Sequence, residues 1–388
     1  MKLNKILIHS LSIIFSAHSY GQGSYNIKLN PTGGYAFNLL KSPSFYMNDT
    51  SELERGDLWM NSAFIGNSLT ASFSPGNKRH KIGIDVRNKF FLASGENFEA
   101  GEHRYGVNHK VVLQKGLTLS SKLSYTDFTR SGVDQDNLIG IPLSYKRWRL
   151  NERIDWKLSK KNHFIFNPLV ESKFYSMEGF NRFTYFKYGG EVAYQRNWKL
   201  KKKVGLEFSG GVNQRRYFIS KTEGDNSLNR DWLYFTGGVG LKFRLGETAK
   251  LYWNSTYTNR IDRSHDRLGF NQFTNGVRFE FRKGKWKINA DLASTLRLYK
   301  TFEFSFTEAG DDGEEDEVIE GLLRFNYITY GIEASYAVNE RLGLRCYLDN
   351  KSRISNADFE TRRGARSYTL GEVGFGITWS LSGNTKKN

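Results

Sequence analysis

The sequence predicts an all-β fold, an antiparallel up-and-down transmembrane β-barrel of about 16 strands. Three observations lead there. Residues 231–260 alternate with a period of two: Leu233, Phe235, Val239, Leu241, Phe243 and Leu245 share one face, and Tyr234, Thr236, Lys242 and Arg244 the other. A strand repeats every two residues, whereas a helix repeats every 3.6. The run is also long, about 14 residues, where a soluble strand has about 5–6. A charged face of that length needs water and a greasy one needs lipid, and a closed sheet supplies both. Finally, the connections alternate in character along the whole chain. Gly76 to Arg79, Ser159 to Asn162, Lys199 to Lys203 and Arg282 to Lys285 are short and basic. Residues 94–102, 131–139, 221–229, 263–268, 305–320 and 354–365 are longer and often acidic. A barrel with short periplasmic turns and long outer loops has this alternation.

Taken in order, residues 28–39 offer a first strand weakened by Pro31 and the Gly33-Gly34 pair. If residues 24–66 formed a plug or arm instead, 14 strands would remain. The next strand lies within 58–74 and carries Leu69, Ala71 and Phe73; Pro75-Gly76-Asn77 turns the chain. Ile82, Ile84 and Val86 then oppose Lys81, Asp85, Arg87 and Lys89. Tyr105, Val107, His109 and Val111 oppose Arg104, Asn108 and Lys110, and Leu117, Leu119, Leu123 and Tyr125 follow Gly116. In 143–158, Trp148, Leu150, Ile154 and Trp156 oppose Arg149, Arg153 and Asp155, but Glu152 falls on the apolar side. That exception predicts a rim position or a bulge. Pro168 likewise predicts a bulge in 163–175.

Strands at 184–199 and 204–219 precede the hairpin of 231–260. Beyond it, Phe273, Val277, Phe279 and Phe281 oppose Arg278, Glu280 and Arg282, and Ile288, Leu292, Leu296 and Leu298 oppose Lys287, Asp291 and Arg297. Residues 323–338 and 342–353 make another pair, with Arg345 inward and Cys346 outward. The last strand, 367–381, turns Val373, Phe375, Ile377, Trp379 and Leu381 outward.

Composition narrows the class. A mean hydropathy of −0.57 excludes a helical membrane protein but not a barrel, in which only alternate strand residues meet lipid. Aromatics at 15% suit interfacial girdles. Lys2 and Lys5, the apolar stretch Ile6 to Phe15 and the small residues Ser19 to Gly21 read as a signal peptide over 1–21, leaving 22–388 as the barrel. The single cysteine, Cys346, precludes an internal disulfide. Net charge is +17, but the Lys and Arg residues are spread along strands and turns rather than gathered on one helix, so no nucleic-acid partner is expected.

With its export signal, alternating strands and final strand Gly371 to Leu381, the chain resembles the porin-like outer-membrane β-barrel proteins of Gram-negative bacteria. The Gln22 start is similar to those of the Bacteroidetes. The resemblance implies outer-membrane lipid as surroundings and the barrel-assembly machinery as a partner in biogenesis. In that superfamily the machinery reads a terminal aromatic, to which Trp379 is similar, although this chain adds Leu381 and a polar tail. The likeness is to an architecture, so no functional residue is implied by it.

The candidate site is the inner wall. Arg87, Arg104, Lys110, Arg149, Arg153, Lys187, Arg215, Lys242, Arg244, Arg278, Glu280, Arg282, Asp291, Arg297 and Arg345 are expected to line a lumen. Their positive excess points to a channel for small polar or anionic solutes. A wall stiffened by paired charges, serving as a non-conducting accessory barrel of a surface or secretion complex, is the alternative. A surface enzyme is the third reading, resting on Asp262, Ser264, His265 and Asp266 close together on one outer loop, although triads are assembled from separated elements. The acidic run Glu308 to Glu320 lacks the spacing of a calcium loop and reads as a solvated outer loop. His109 reads as interfacial, and His80, His103 and His163 lack ligand spacing, so no metal or cofactor is expected.

Overall fold

The computed structural model describes residues 23–38, 61–75, 79–92, 100–130, 133–134, 141–142, 144–175, 184–199, 203–217, 230–264, 268–308, 317–357 and 367–385. The chain begins with β1 (Gly23–Phe37), β2 (Ser62–Pro75), β3 (His80–Phe91), β4 (Ala100–Gln114) and β5 (Leu117–Arg130). Two short strands, β6 (Val133–Asp134) and β7 (Ile141–Pro142), pair only with each other. Then come β8 (Tyr145–Lys157), β9 (Asn162–Tyr175), β10 (Tyr185–Lys199), β11 (Lys203–Tyr217), β12 (Asp231–Leu245) and β13 (Ala249–Asp262). The series ends with β14 (Phe270–Lys283), β15 (Trp286–Glu308), β16 (Glu317–Ala337), β17 (Leu342–Ser355) and β18 (Tyr368–Thr385).

All strands except β6 and β7 join one closed antiparallel barrel in sequence order, 16 strands in all, and β1 pairs with both β2 and β18. Closure satisfies every edge, which a sheet in lipid requires. The 14-strand alternative is therefore excluded. β1 starts earlier than its glycines suggested and keeps one register from Gly23 to Phe37 against β18. Pro31 costs it only ladder bonds.

Gly246 and Gly284, at φ of 71° and 56°, turn the short connections into β13 and β15; a left-handed backbone is accessible to glycine without a Cβ clash.

Parity along each strand holds as read. Ile65, Val107, Phe208, Leu292 and Phe375 are each more than half exposed and all face outward. Such a belt is unusable in water and is what lipid covers. Outward aromatics pack in pairs near its edges: Tyr125 against Trp148 at 4.7 Å, Phe164 against Tyr194 at 4.9 Å and Trp286 against Tyr336 at 4.9 Å. Cys346 is exposed on this outer wall.

Several details correct the expectations. Pro168 makes no bulge, since one register runs through it against β10. Nor does a bulge explain Glu152: Asn151 pairs Leu169 and Ile154 pairs Phe166 without a shift, and Glu152 faces outward. Register shifts occur instead between Val112 and Gln114 and between Leu298 and Glu303. The expected outer loop 305–320 is partly strand, because β15 and β16 pair out to Glu308 and Glu317. The last strand continues past Leu381 to Thr385. Residues 1–21 of the expected signal and residues 309–316 of the acidic run lie outside the described residues.

Candidate functional site: the lumen and its outer collar

The inner wall is built by the second parity of the same strands. All fifteen predicted residues stand on it, opposite in parity to the apolar belt. They divide by what they touch. Some meet carboxylates: Arg153 donates to both oxygens of Asp155 at 2.9 Å, and Arg345 donates to Glu333 through Nε at 2.9 Å and Nη2 at 2.7 Å. Arg149 donates to Asn151 at 2.9 Å and stands 3.9 Å from Glu171. Others face another cation directly across the ladder: Arg87 opposite Arg104, Lys81 opposite Lys110, Arg244 opposite Lys250, and Arg282 opposite Lys287. Like charges so placed repel.

Arg278, Glu280, Lys287, Asp291, Glu333 and Arg345 line a recess of about 330 Å³ in the β14–β17 wall. Asp291 and Asp349 flank Gly331 across three strands, and a Cβ on that glycine would come within 2.6 Å of Asp349 Oδ1. The absent side chain thus leaves room for both carboxylates.

At the end of the barrel away from the short turns, the inner wall changes character. There the inward positions carry aromatics, and most of the cations stand one inward step deeper along the same strands. The couplets are Lys89 and Phe91, Tyr145 and Arg147, Lys173 and Tyr175, Tyr185 and Lys187, Arg215 and Tyr217, and Arg297 and Tyr299. Because inward side chains recur every second residue, an i, i+2 couplet puts both on the lumen side.

The cations rest on the rings. Lys89 Nζ lies 3.9 Å from the centroid of Phe64, and Lys173 Nζ 3.7 Å from that of Tyr145. Arg215 stands 4.4 Å from Tyr185, and Arg260 stands 4.2 Å from both Trp232 and Phe270. Arg297 is 4.6 Å from Phe270, and Arg353 is 4.6 Å from both Phe325 and Tyr368. Edge-on contacts connect the rings themselves: Tyr217 to Trp232 at 5.0 Å, Phe270 to Tyr299 at 5.8 Å and Tyr299 to Phe325 at 5.8 Å. The result is a collar around the outer mouth, aromatic above and cationic below.

On the β14–β16 side this collar is a packed core. Phe270, Tyr299, Phe304, Leu323, Phe325 and Tyr327 form one buried cluster inside the barrel. The sequence reading assigned the aromatics to lipid girdles and so missed this second ring. The couplets were its available signal. Among the described residues, Glu102, Glu171, Asp262, Asp349 and Glu372 are lumen-facing carboxylates at or just below this level, and Glu372 is already paired with Lys89. Positive charge therefore predominates there. Arg215 Nε, Trp232 Nε1 and Tyr299 Oη are buried without a hydrogen-bond partner among the described residues.

The histidines and the outer-loop constellation resolve differently. His163 meets Asp155 at 3.2 Å inside the lumen, whereas His80, His103 and His109 face outward. Asp262 accepts the backbone N–H groups of Ser264 and Leu268, and Ser264 Oγ accepts that of Asp231. Both residues thus accept from backbone N–H groups. His265 and Asp266 lie outside the described residues.

A closed barrel with an apolar outer belt and an ionic interior is an integral outer-membrane architecture. No family model matches the chain. No curated protein matches it either. Solved structures that match over nearly its whole length include OccAB1 of Acinetobacter baumannii, 10% identical with a TM-score of 0.48, covering 92% of this chain and 97% of that one. OpdO of Pseudomonas aeruginosa is 11% identical with a TM-score of 0.45, covering 94% and 98%. The outer membrane channel DcaP of Acinetobacter baumannii is 11% identical with a TM-score of 0.42, covering 93% and 98%.

Proposed function

We propose that this protein is a passive channel through the outer membrane for small polar solutes, and that it favours anions. The collar is the observation that carries this reading. Guanidinium and ammonium groups held on aromatic faces are fixed in place, and they put a positive field across the mouth that a solute must pass. Sixteen strands enclose a lumen wide enough for water. Below the collar, opposed cations and the carboxylate recess offer weak alternating contacts, which suit passage better than retention.

Planar-bilayer recording tests it. Stepwise conductance is expected from pure, folded protein, with a reversal potential displaced toward the anion in a KCl gradient. Folded protein that gives no steps overturns the channel reading.

The second reading, a non-conducting accessory barrel of a surface or secretion complex, draws support from the buried cluster around Phe325 and Leu323, which narrows the mouth on one side. It expects no conductance and a co-purifying protein. The chain's first 21 residues are proposed as an export signal, and the barrel-assembly machinery as its partner in biogenesis.

A further inference from the structure

The lipid-facing wall of β3, β4, β5 and β8 breaks its own rule. His109 pairs with Ser121 and Ser121 with Glu152, all three facing outward on adjacent strands. Ser121 Oγ donates to Glu152 Oε2 at 2.6 Å. His80 stacks on His109, with ring planes 3° apart and Nδ1 to Nε2 at 3.2 Å. This seam is not at the rim. Glu152 lies four residues from Trp148 and four from Trp156, outward aromatics that are each about half exposed and flank it along β8. Apolar rows border it on both sides: Val107, Leu123 and Leu150 above, and Val111, Leu119 and Ile154 below. A carboxyl and an imidazole, Glu152 and His109, facing hydrocarbon at this depth are costly, so such groups ordinarily face protein; His80 opens β3 one row below.

We infer that a second copy of this chain covers the seam, in a two-fold dimer whose axis runs along the membrane normal past Ser121. The seam is complementary to itself. His109, Ser121 and Glu152 are direct ladder partners in turn, and strand tilt of about 35–45° sets His109 and Glu152 on opposite sides of Ser121 in depth, by about 3 Å each. His109 and Glu152 flank Ser121 by one strand each, about 5 Å on either side. A two-fold turn brings left onto right. It keeps depth unchanged, and so sets the imidazole side of one copy against the carboxylate side of the other, twice over, with the two side chains spanning the offset of about 6 Å that the tilt leaves between them. Two convex barrels touch along only a few strands, and the polar residues occupy that width. The bordering apolar rows then close the contact against lipid.

The inference rests on the barrel and not on its conductance. Cross-linking tests it in native membranes. With Cys346→Ser as background, Ser121→Cys is expected to form a disulfide-linked dimer on mild oxidation, and Val212→Cys, exposed on the outer wall of β11, is not. Native mass spectrometry of the wild-type protein in mild detergent should give twice the chain mass, with loss of the dimer on Glu152→Gln. Should Glu152→Gln not fold, the cysteine pair still decides. Linking at Ser121 no greater than at Val212, a monomer by mass, or a cross-link to a different protein each overturns the proposal.

Discussion

The guanidinium of Arg260 stands 4.2 Å from the centroid of Trp232, and both side chains are almost wholly buried inside the barrel. The same guanidinium donates from Nε and Nη2 to the carbonyl of Leu268, tying the start of β14 to the wall. Arg260→Ala would remove a desolvated cation–π contact worth about 2 kcal/mol and charged hydrogen bonds worth about 1.5–3 kcal/mol. A loss of roughly 3–5 kcal/mol is expected, read as a lower denaturant midpoint for refolded protein.

Arg153 provides a contrast. Its bidentate pair with Asp155 is exposed to the lumen, and exposed pairs contribute about 0–1 kcal/mol. Arg153→Gln should leave the unfolding midpoint nearly unchanged. If the channel reading is right, the same substitution lowers anion preference in the reversal potential.

Arg297 belongs to the collar, on the rings of Phe270 and Tyr327. Arg297→Glu reverses a charge at the mouth. The reversal potential should move toward the cation by more than Arg153→Gln moves it, and the shift should shrink as salt rises and screening shortens. Equal shifts for the two variants would deny the collar a special part in selectivity.

Gly34 and Gly374 face each other where β1 meets β18. A Cβ on Gly34 would come within 2.1 Å of the Val373 carbonyl oxygen and 2.6 Å of the Phe64 ring. Backbone cannot yield there as a long side chain could. Gly34→Ala should therefore weaken barrel closure by about 3 kcal/mol or more. The folded, heat-modifiable band on unboiled gels would diminish. Gly237→Ala, where nothing stands within 4 Å of the added carbon, is the control and should fold normally.

If residues 1–21 are an export signal, the protein recovered from outer membranes should begin at Gln22. Intact mass spectrometry reads this directly. A mature chain that retains Lys2 and Lys5 would refute the assignment.

Inside and outside were legible without coordinates. Successive strand side chains point to opposite faces as a matter of local backbone geometry, so Arg278 and Glu280 could be set against Val277 and Phe279 from their order alone. The signs that implied a bulge misled, because neither Pro168 nor Glu152 changes the register. Proline costs a ladder bond, and a polar residue can stand on the outward face without shifting the register, as Glu152 does beside Ser121. Depth and neighbourhood belonged to the tertiary structure. That Arg260 lies between Trp232 and Phe270, or that His109, Ser121 and Glu152 make one seam, depends on how separate strands slide against one another when the sheet closes. That slide is set by the ring of strands as a whole, with β1 meeting β18 across most of the chain's length, and no local pattern carries it.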